Sequence, residues 1–333
     1  MKAVVLTENG IDLRDVDLGE LSPSWARIKV VRAGLCGSDV AKISASSLPT
    51  WHTKILGHEF CGYIVELNAP AARLSVNDTV VVTPLIPCHT CDACKRGQEN
   101  LCVQGQSIGR TIQGAFAEFV DVPLENVVQI SAKCHLESYV LADPLAVCIH
   151  ASNIADINKS TKRCLVVGDG AIGCLLAWLL RKKGHEVWMS GIHEESLKFA
   201  EGFGVGVVKS TEKHSFDNVF EAVGRSQRHS LDISLRAVKW GGIIVVLGVF
   251  AHGYEYPLVA RDFFIGEVKM IGANAYLRSD FEEATRMIRA HNDELSTFIS
   301  HRFSLVRFDE ALATAKSKRG FTMKIVLEME GLS

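Results

Sequence analysis

Residues Cys164 to Leu180 read as an apolar strand, CLVV, a glycine-rich turn, Gly168-Asp-Gly-Ala-Ile-Gly173, and an apolar helix that starts at once. A strand that ends on glycines and re-enters as a helix opens a βαβ unit, which limits the chain to very few architectures. Gly168 permits the tight turn, Gly170 lets backbone approach a pyrophosphate, and Gly173 allows close packing of helix on strand. Ala171 and Ile172 complete the hexapeptide, and the helix N-terminus adds partial positive charge. A purely structural turn is the alternative, but it has no need of that strand and that helix. Asp169 and the three glycines also make the segment a poor membrane span, which needs about 20 apolar residues.

Downstream, strands alternate with helices: helix 171–183, strand 185–190, helix 194–203, strands VGVVK and NVFEAVG, helix 226–239, then GIIVVLG and VKMIGA. Continuous apolar strands in such alternation predict an α/β doubly wound parallel sheet covered on both faces. A cofactor with a free ribose 2′-hydroxyl calls for an acidic residue about twenty positions beyond the turn. The second strand instead ends Ser190-Gly191-Ile192-His193. Small polar groups there, with His193 as partner to a 2′-phosphate, favour NADP(H) over NAD(H), although Glu194 or Glu195 could reach a hydroxyl.

Up to about residue 130 the texture differs, with short runs such as AVVL, ARIKVVRAG, GYIVEL, TVVVTPL and AFAEFVDV broken by turn residues. They predict a compact, mostly antiparallel barrel-like domain. At 333 residues, 47% of them hydrophobic, the chain suits two domains. With 36 basic against 38 acidic side chains, nothing favours nucleic acid or an anionic membrane surface, so small molecules are the expected partners. The N-terminus lacks the apolar run of a signal peptide, and a cytoplasmic location is expected.

Ten cysteines in such a chain argue against a disulfide framework. Four of them, Cys88, Cys91, Cys94 and Cys102, follow C-x2-C-x2-C-x7-C, a spacing that lets thiolates converge on one tetrahedral zinc. Four cysteines leave no position open for substrate, so this zinc, in a lobe of about 88–102, is structural. Two further stretches, Gly34-Leu-Cys36-Gly-Ser38-Asp39 and Gly57-His58-Glu59, carry a thiol and an imidazole in turn-like settings. Taken singly, each reads as an ordinary buried thiol or loop histidine.

Together with the preceding motifs, and with GAFAEFV, ADPLAVCIHA and the terminal strand pattern, these stretches closely resemble the zinc-dependent medium-chain dehydrogenase/reductases of the sorbitol and threonine dehydrogenase kind. The resemblance implies a GroES-like catalytic domain, 1–148 and 273–333, and a Rossmann domain at 149–272. It also implies two zincs per chain and a homodimer or homotetramer. Cys36 and His58 would be catalytic zinc ligands, Glu59 a third ligand or one that exchanges with water, and Asp143 a nearby carboxylate acting directly or through water. Asp39 would orient a ligating histidine, and Ser38 would relay the substrate proton. The nicotinamide would be bordered by backbone at Leu247, Val249 and Ala273, and the substrate by residues such as Ile43, Trp51, Phe116 and Tyr276. The implied activity is hydride transfer between a secondary alcohol, on a polyol, sugar, cyclitol or amino alcohol, and NAD(P).

One departure stands out: after Lys209 relatives spend some twenty residues on a helix, whereas here only Ser210 to Ser215 precede the next strand. Two rivals remain at this level. A zinc-free quinone or enone reductase would not need Cys36, His58 and Glu59 together. A non-catalytic zinc- and nucleotide-binding protein draws support only from the shortened nucleotide domain.

Overall fold

A computed structural model of the 333-residue chain describes all residues except 8–9, 45–52, 70–72, 131–134, 157–161, 209–212, 225–227, 318–319 and 330–333. Trp51 and Cys134 therefore lie outside the described residues. Two compact units emerge, one of Met1–Asp143 with Leu277–Ser333 and the other of Pro144–Tyr276.

The first unit opens with the hairpin β1 (Lys2–Thr7) and β2 (Gly10–Asp15). The long strand β3 (Trp25–Leu35), helix α1 (Gly37–Ile43), and strands β4 (Glu59–Leu67) and β5 (Thr79–Val82) follow. Next come the short β6 (Leu85–Ile86), α2 (Asp92–Lys95), β7 (Gln106–Ser107), β8 (Phe119–Pro123) and β9 (Val127–Gln129). The unit is completed after the second by α8 (Arg278–Ala290), α9 (Asn292–Ser296), β16 (Ile299–Ser304), α10 (Phe308–Ser317) and β17 (Lys324–Glu328). Its main sheet has seven strands in the order β16-β17-β3-β4-β5-β9, with β8 also paired to β3. Only β16 and β17 run parallel within it. The sequence pattern missed β2, whose GIDLRD is mostly exposed and shows no apolar face.

Inward residues of these strands, among them Ile28, Val30, Phe60, Ile64, Val80 and Val120, form one core with Ile108, Phe116 and Phe308. Phe116 was expected beside substrate; it is instead fully buried, with its ring 5.2 Å from that of Phe308. A side chain on Gly57, whose φ is +94°, would collide with that ring, so Phe116 sits directly beneath the turn that presents His58.

The second unit begins within α3 (Ala142–Ile154), then runs β10 (Arg163–Val167), α4 (Ala171–Lys182), β11 (Glu186–Ser190), α5 (Glu194–Glu201) and β12 (Gly206–Val207). It continues with β13 (Phe216–Glu221), α6 (Arg228–Ala237), β14 (Val238–Val246), α7 (Ala260–Gly266) and β15 (Lys269–Gly272). All six strands are parallel, in the order β12-β11-β10-β13-β14-β15. Counted along the chain, that order is third, second, first, fourth, fifth, sixth, the doubly wound arrangement whose ligands bind at the carboxyl ends beside the first strand. Cys164 to Val167 are all buried, as a strand covered on both faces requires. Helix α4 buries every residue from Gly173 to Leu180, including Trp178.

Between β12 and β13 no helix occurs among the described residues. Strand β14 begins at Val238, four residues before the apolar run GIIVVLG, because the Gly241-Gly242 pair lets it bend: Gly241 has φ +72°, and a side chain on Gly242 would strike Val238 and the Asp217 carbonyl. Helix α7 was not apparent in the pattern, since all its residues but Gly266 remain at least partly exposed. No described helix is long and apolar enough to cross a membrane.

Because Phe116 combines core burial with support of Gly57, Phe116→Ala should destabilise the protein by about 3–5 kcal/mol. The effect would be read as a lower urea midpoint at unchanged slope.

Candidate catalytic and nucleotide sites

Cys36 directly follows β3 and stands at the N-cap of α1, while His58 and Glu59 sit where β4 begins. Because β3 and β4 pair antiparallel with Gly34 opposite Glu59, the end of one strand meets the start of the other. One ligand atom each from Cys36, His58 and Glu59 lies within 4.8 Å of the other two. A thiol, an imidazole and a carboxylate this close form a donor set suited to zinc with a position left open.

The surroundings orient these donors. Asp39, fully buried in the first turn of α1, accepts the Cys36 backbone N–H at 3.3 Å and holds an oxygen 3.4 Å from His58 Nδ1. Burial works against charge on both partners, yet their mutual attraction prevails, so Asp39 lies below the usual carboxylate range and His58 well above the usual imidazole range. A ligating imidazole must be neutral at its metal-binding nitrogen, so an arriving cation displaces that extra proton. Ser38 donates its hydroxyl to Cys36 Sγ at 3.3 Å, which keeps it beside the donor cluster.

Sequence reasoning missed Lys324. Its ammonium, buried on β17, donates to both oxygens of Glu59, at 2.6 and 2.8 Å. Burial alone would lower the Lys324 pKa, but Glu59 and Cys36 raise it above its ordinary value, with Asp143 adding to the effect. The only available signal was a lysine opening the strand KIVLE, directly before the apolar run Ile325 to Leu327. Asp143, in the first turn of α3, does not join the three clustered donors.

The second cluster is the four-cysteine lobe. Cys88, Cys91, Cys94 and Cys102 bring their sulfurs within 4.8 Å of one another, around the short helix α2. Cys91 Sγ lies 3.5 Å from Cys94 Sγ and 3.8 Å from Cys102 Sγ, far beyond a disulfide bond. Hydrogen bonds from Thr90 and the Cys91 backbone pull the Cys88 thiol down to about 5, whereas desolvation and neighbouring sulfurs push Cys94 up to about 12. The donors fit a closed, four-sulfur zinc site.

In the other unit, the turn after β10 behaves as its glycines require. Gly168 has φ +117°, and a side chain on Gly173 would overlap the Gly168 carbonyl. Gly170 caps α4 and has open space where its side chain would be, followed by Ala171 and Ile172 in the first helical turn. An open, backbone-lined helix start at the carboxyl end of the first strand is what a pyrophosphate needs. Leu247, Val249 and Ala273 follow β14 and β15 at the same end of the sheet, with Leu247 and Ala273 donating backbone N–H groups to Glu221 and Val246 and Val249 strongly exposed. Tyr276, by contrast, is 2% exposed, and Ala275 before it adopts φ +51°.

Residues 22–132 match the family described as alcohol dehydrogenase GroES-like domain. Over nearly its whole length the chain is 29% identical to D-altritol 5-dehydrogenase of Agrobacterium fabrum, covering 99% of this chain and 100% of that protein. It is 26% identical to sorbitol dehydrogenase of Bombyx mori, with 98% of each covered. The solved structure of a zinc-binding dehydrogenase from Sinorhizobium meliloti bound to NADP superposes with a TM-score of 0.90 at 27% identity, over 98% of both chains. Sequence likeness from end to end, a shared fold and the two donor clusters converge in support of a zinc-type medium-chain dehydrogenase/reductase.

Proposed function

We propose that the protein is a zinc-dependent alcohol dehydrogenase that exchanges a hydride between a polar secondary alcohol and a nicotinamide dinucleotide. The observation that carries this reading is the convergence of Cys36, His58 and Glu59 within 4.8 Å, with the Ser38 hydroxyl alongside. A zinc-free reductase would have no use for that donor set. Relatives named for altritol, sorbitol and threonine support a substrate bearing several polar groups.

When bound, zinc would supply Lewis-acid polarisation of the substrate oxygen, and the dinucleotide the acceptor for hydride. The remaining chemistry belongs to the chain. Cys36, His58 and Glu59 would hold the cation, Asp39 would fix the His58 ring and its tautomer, and Ser38 would carry the hydroxyl proton away. Both Glu59 oxygens already engage Lys324. Glu59 would therefore approach the cation only by loosening that pair, in keeping with an exchanging ligand. Asp143 would act from farther out, through water. Backbone at Gly168, Gly170 and Gly173 would cradle the pyrophosphate, and Leu247, Val249 and Ala273 would border the nicotinamide. Ser190 and His193 mark the adenosine end, where the strand tip without an acid suggested NADP(H).

The second zinc would be held by Cys88, Cys91, Cys94 and Cys102 and would staple the lobe. Nine described cysteines are free thiols, which suits a reducing cytoplasmic setting. A homodimer or homotetramer is supported by β15, which ends its sheet, and by exposed Trp240 and Phe264 in the same unit.

Three measurements test this. Wild-type protein should contain two zincs per chain, and Cys36→Ser should lose one of them together with polyol oxidation, by on the order of a thousandfold. Ser38→Ala should keep both metals and substrate KM while kcat falls about 100-fold or more, as loss of a proton relay does. Cys88→Ser should lose the other zinc and lower the melting temperature by about 5 °C or more. Full metal content and full activity in Cys36→Ser would overturn the reading.

A further inference from the structure

The tip of β11 lacks an acidic residue in sequence, yet the structure delivers one from the neighbouring strand. Asp169, between the first two glycines of the turn, reaches across so that its Oδ2 accepts the backbone N–H of Ile192 at 2.7 Å and of His193 at 2.5 Å. Its Oδ1 lies 3.0 Å from His193 Nδ1. The side chain is only 7% exposed. Gly191 makes this possible, since any side chain there would collide with the Asp169 carboxylate. The carboxylate thus stands in the space that a residue-191 side chain would occupy, at the position where an acid on this strand would meet the adenosine ribose.

The geometry points to Asp169 as the residue that selects the cofactor, admitting a free 2′-hydroxyl and rejecting a 2′-phosphate, so that the enzyme works with NAD(H). This rests on the dinucleotide site proposed above and reverses the preference that the bare strand tip suggested. Three features act in the same direction. The N–H groups at the β11–α5 turn, natural donors to a phosphate, are already taken by the carboxylate. The His193 ring, the expected phosphate partner, is turned onto Asp169 instead. Close by, the first turn of α5 adds Glu194 and Glu195, and the amine of Lys198 is bonded to Glu194 at 2.9 Å. A phosphate carrying nearly two negative charges would meet like charge there. A hydroxyl would not, and Oδ1 keeps acceptor capacity beyond the imidazole.

Asp169→Asn is the informative change, because its amide oxygen can still accept the two N–H bonds while the charge is removed. Zinc-loaded wild-type and variant protein would be titrated with NADH and NADPH by fluorescence. Wild type should bind NADH at least about tenfold tighter, and the variant should shrink that ratio about tenfold, mainly through tighter NADPH. Should Asp169→Asn not fold, Asp169→Ser carries the same expectation, as a serine hydroxyl also accepts bonds from helix-start N–H groups. Wild type that prefers NADPH, or a variant that alters both affinities equally, overturns the assignment. Wild type that binds neither cofactor overturns the dinucleotide reading itself, and this inference with it.

Discussion

The buried ion pair between Glu59 and Lys324 governs how the catalytic unit is put together. The two residues lie on β4 and β17, which flank β3 on opposite sides. They meet only because β3 carries Gly34 between them: a side chain there would overlap a Glu59 oxygen. Such a pair must be complete to be tolerated, since removing one partner leaves an uncompensated buried charge at a cost of about 3–5 kcal/mol. The last strand of the sheet is thereby tied to the donor cluster, and sheet register and metal chemistry share one contact.

The nucleotide-binding unit uses the same device in a parallel sheet. Gly191 on β11 gives up its side-chain space, and Asp169 from the end of β10 fills it with a carboxylate whose charge is met by backbone N–H groups rather than by an ammonium. In both units a glycine on one strand admits an acid from the next. The difference lies in the partner. Lys324 neutralises Glu59 by a full charge, whereas the donors around Asp169 solvate it without cancelling its field. The first carboxylate is restrained, and the second still acts on whatever approaches.

What could be read from the sequence was whatever is local in the chain. The turn from Gly168 to Gly173 and the four cysteines from Cys88 to Cys102 carry their meaning within a few residues, and each forms the compact group its spacing implied. Cys36 and His58 are 22 residues apart and became meaningful only through family resemblance. Lys324 could not be linked to the site, because its partner is 265 residues away and no pattern connects them. Asp169 was hidden for a different reason: nothing local in the chain shows that a carboxylate from the turn after β10 crosses to the tip of β11. Phe116 shows the converse, an aromatic residue that reads as pocket lining and proves to be core.

The position of β17 between β16 and β3 has a consequence for biogenesis. A ribosome emits β3 and β4 early, but the strand that closes β3 on its other side only after residue 324. The contiguous segment from Pro144 to Tyr276 can meanwhile collapse on its own. For most of translation, then, the nascent barrel carries an open edge inviting intermolecular pairing. The donor cluster gains its buried lysine only once β17 has emerged, 265 residues after Glu59, and chains halted before it would be caught with that seam unzipped.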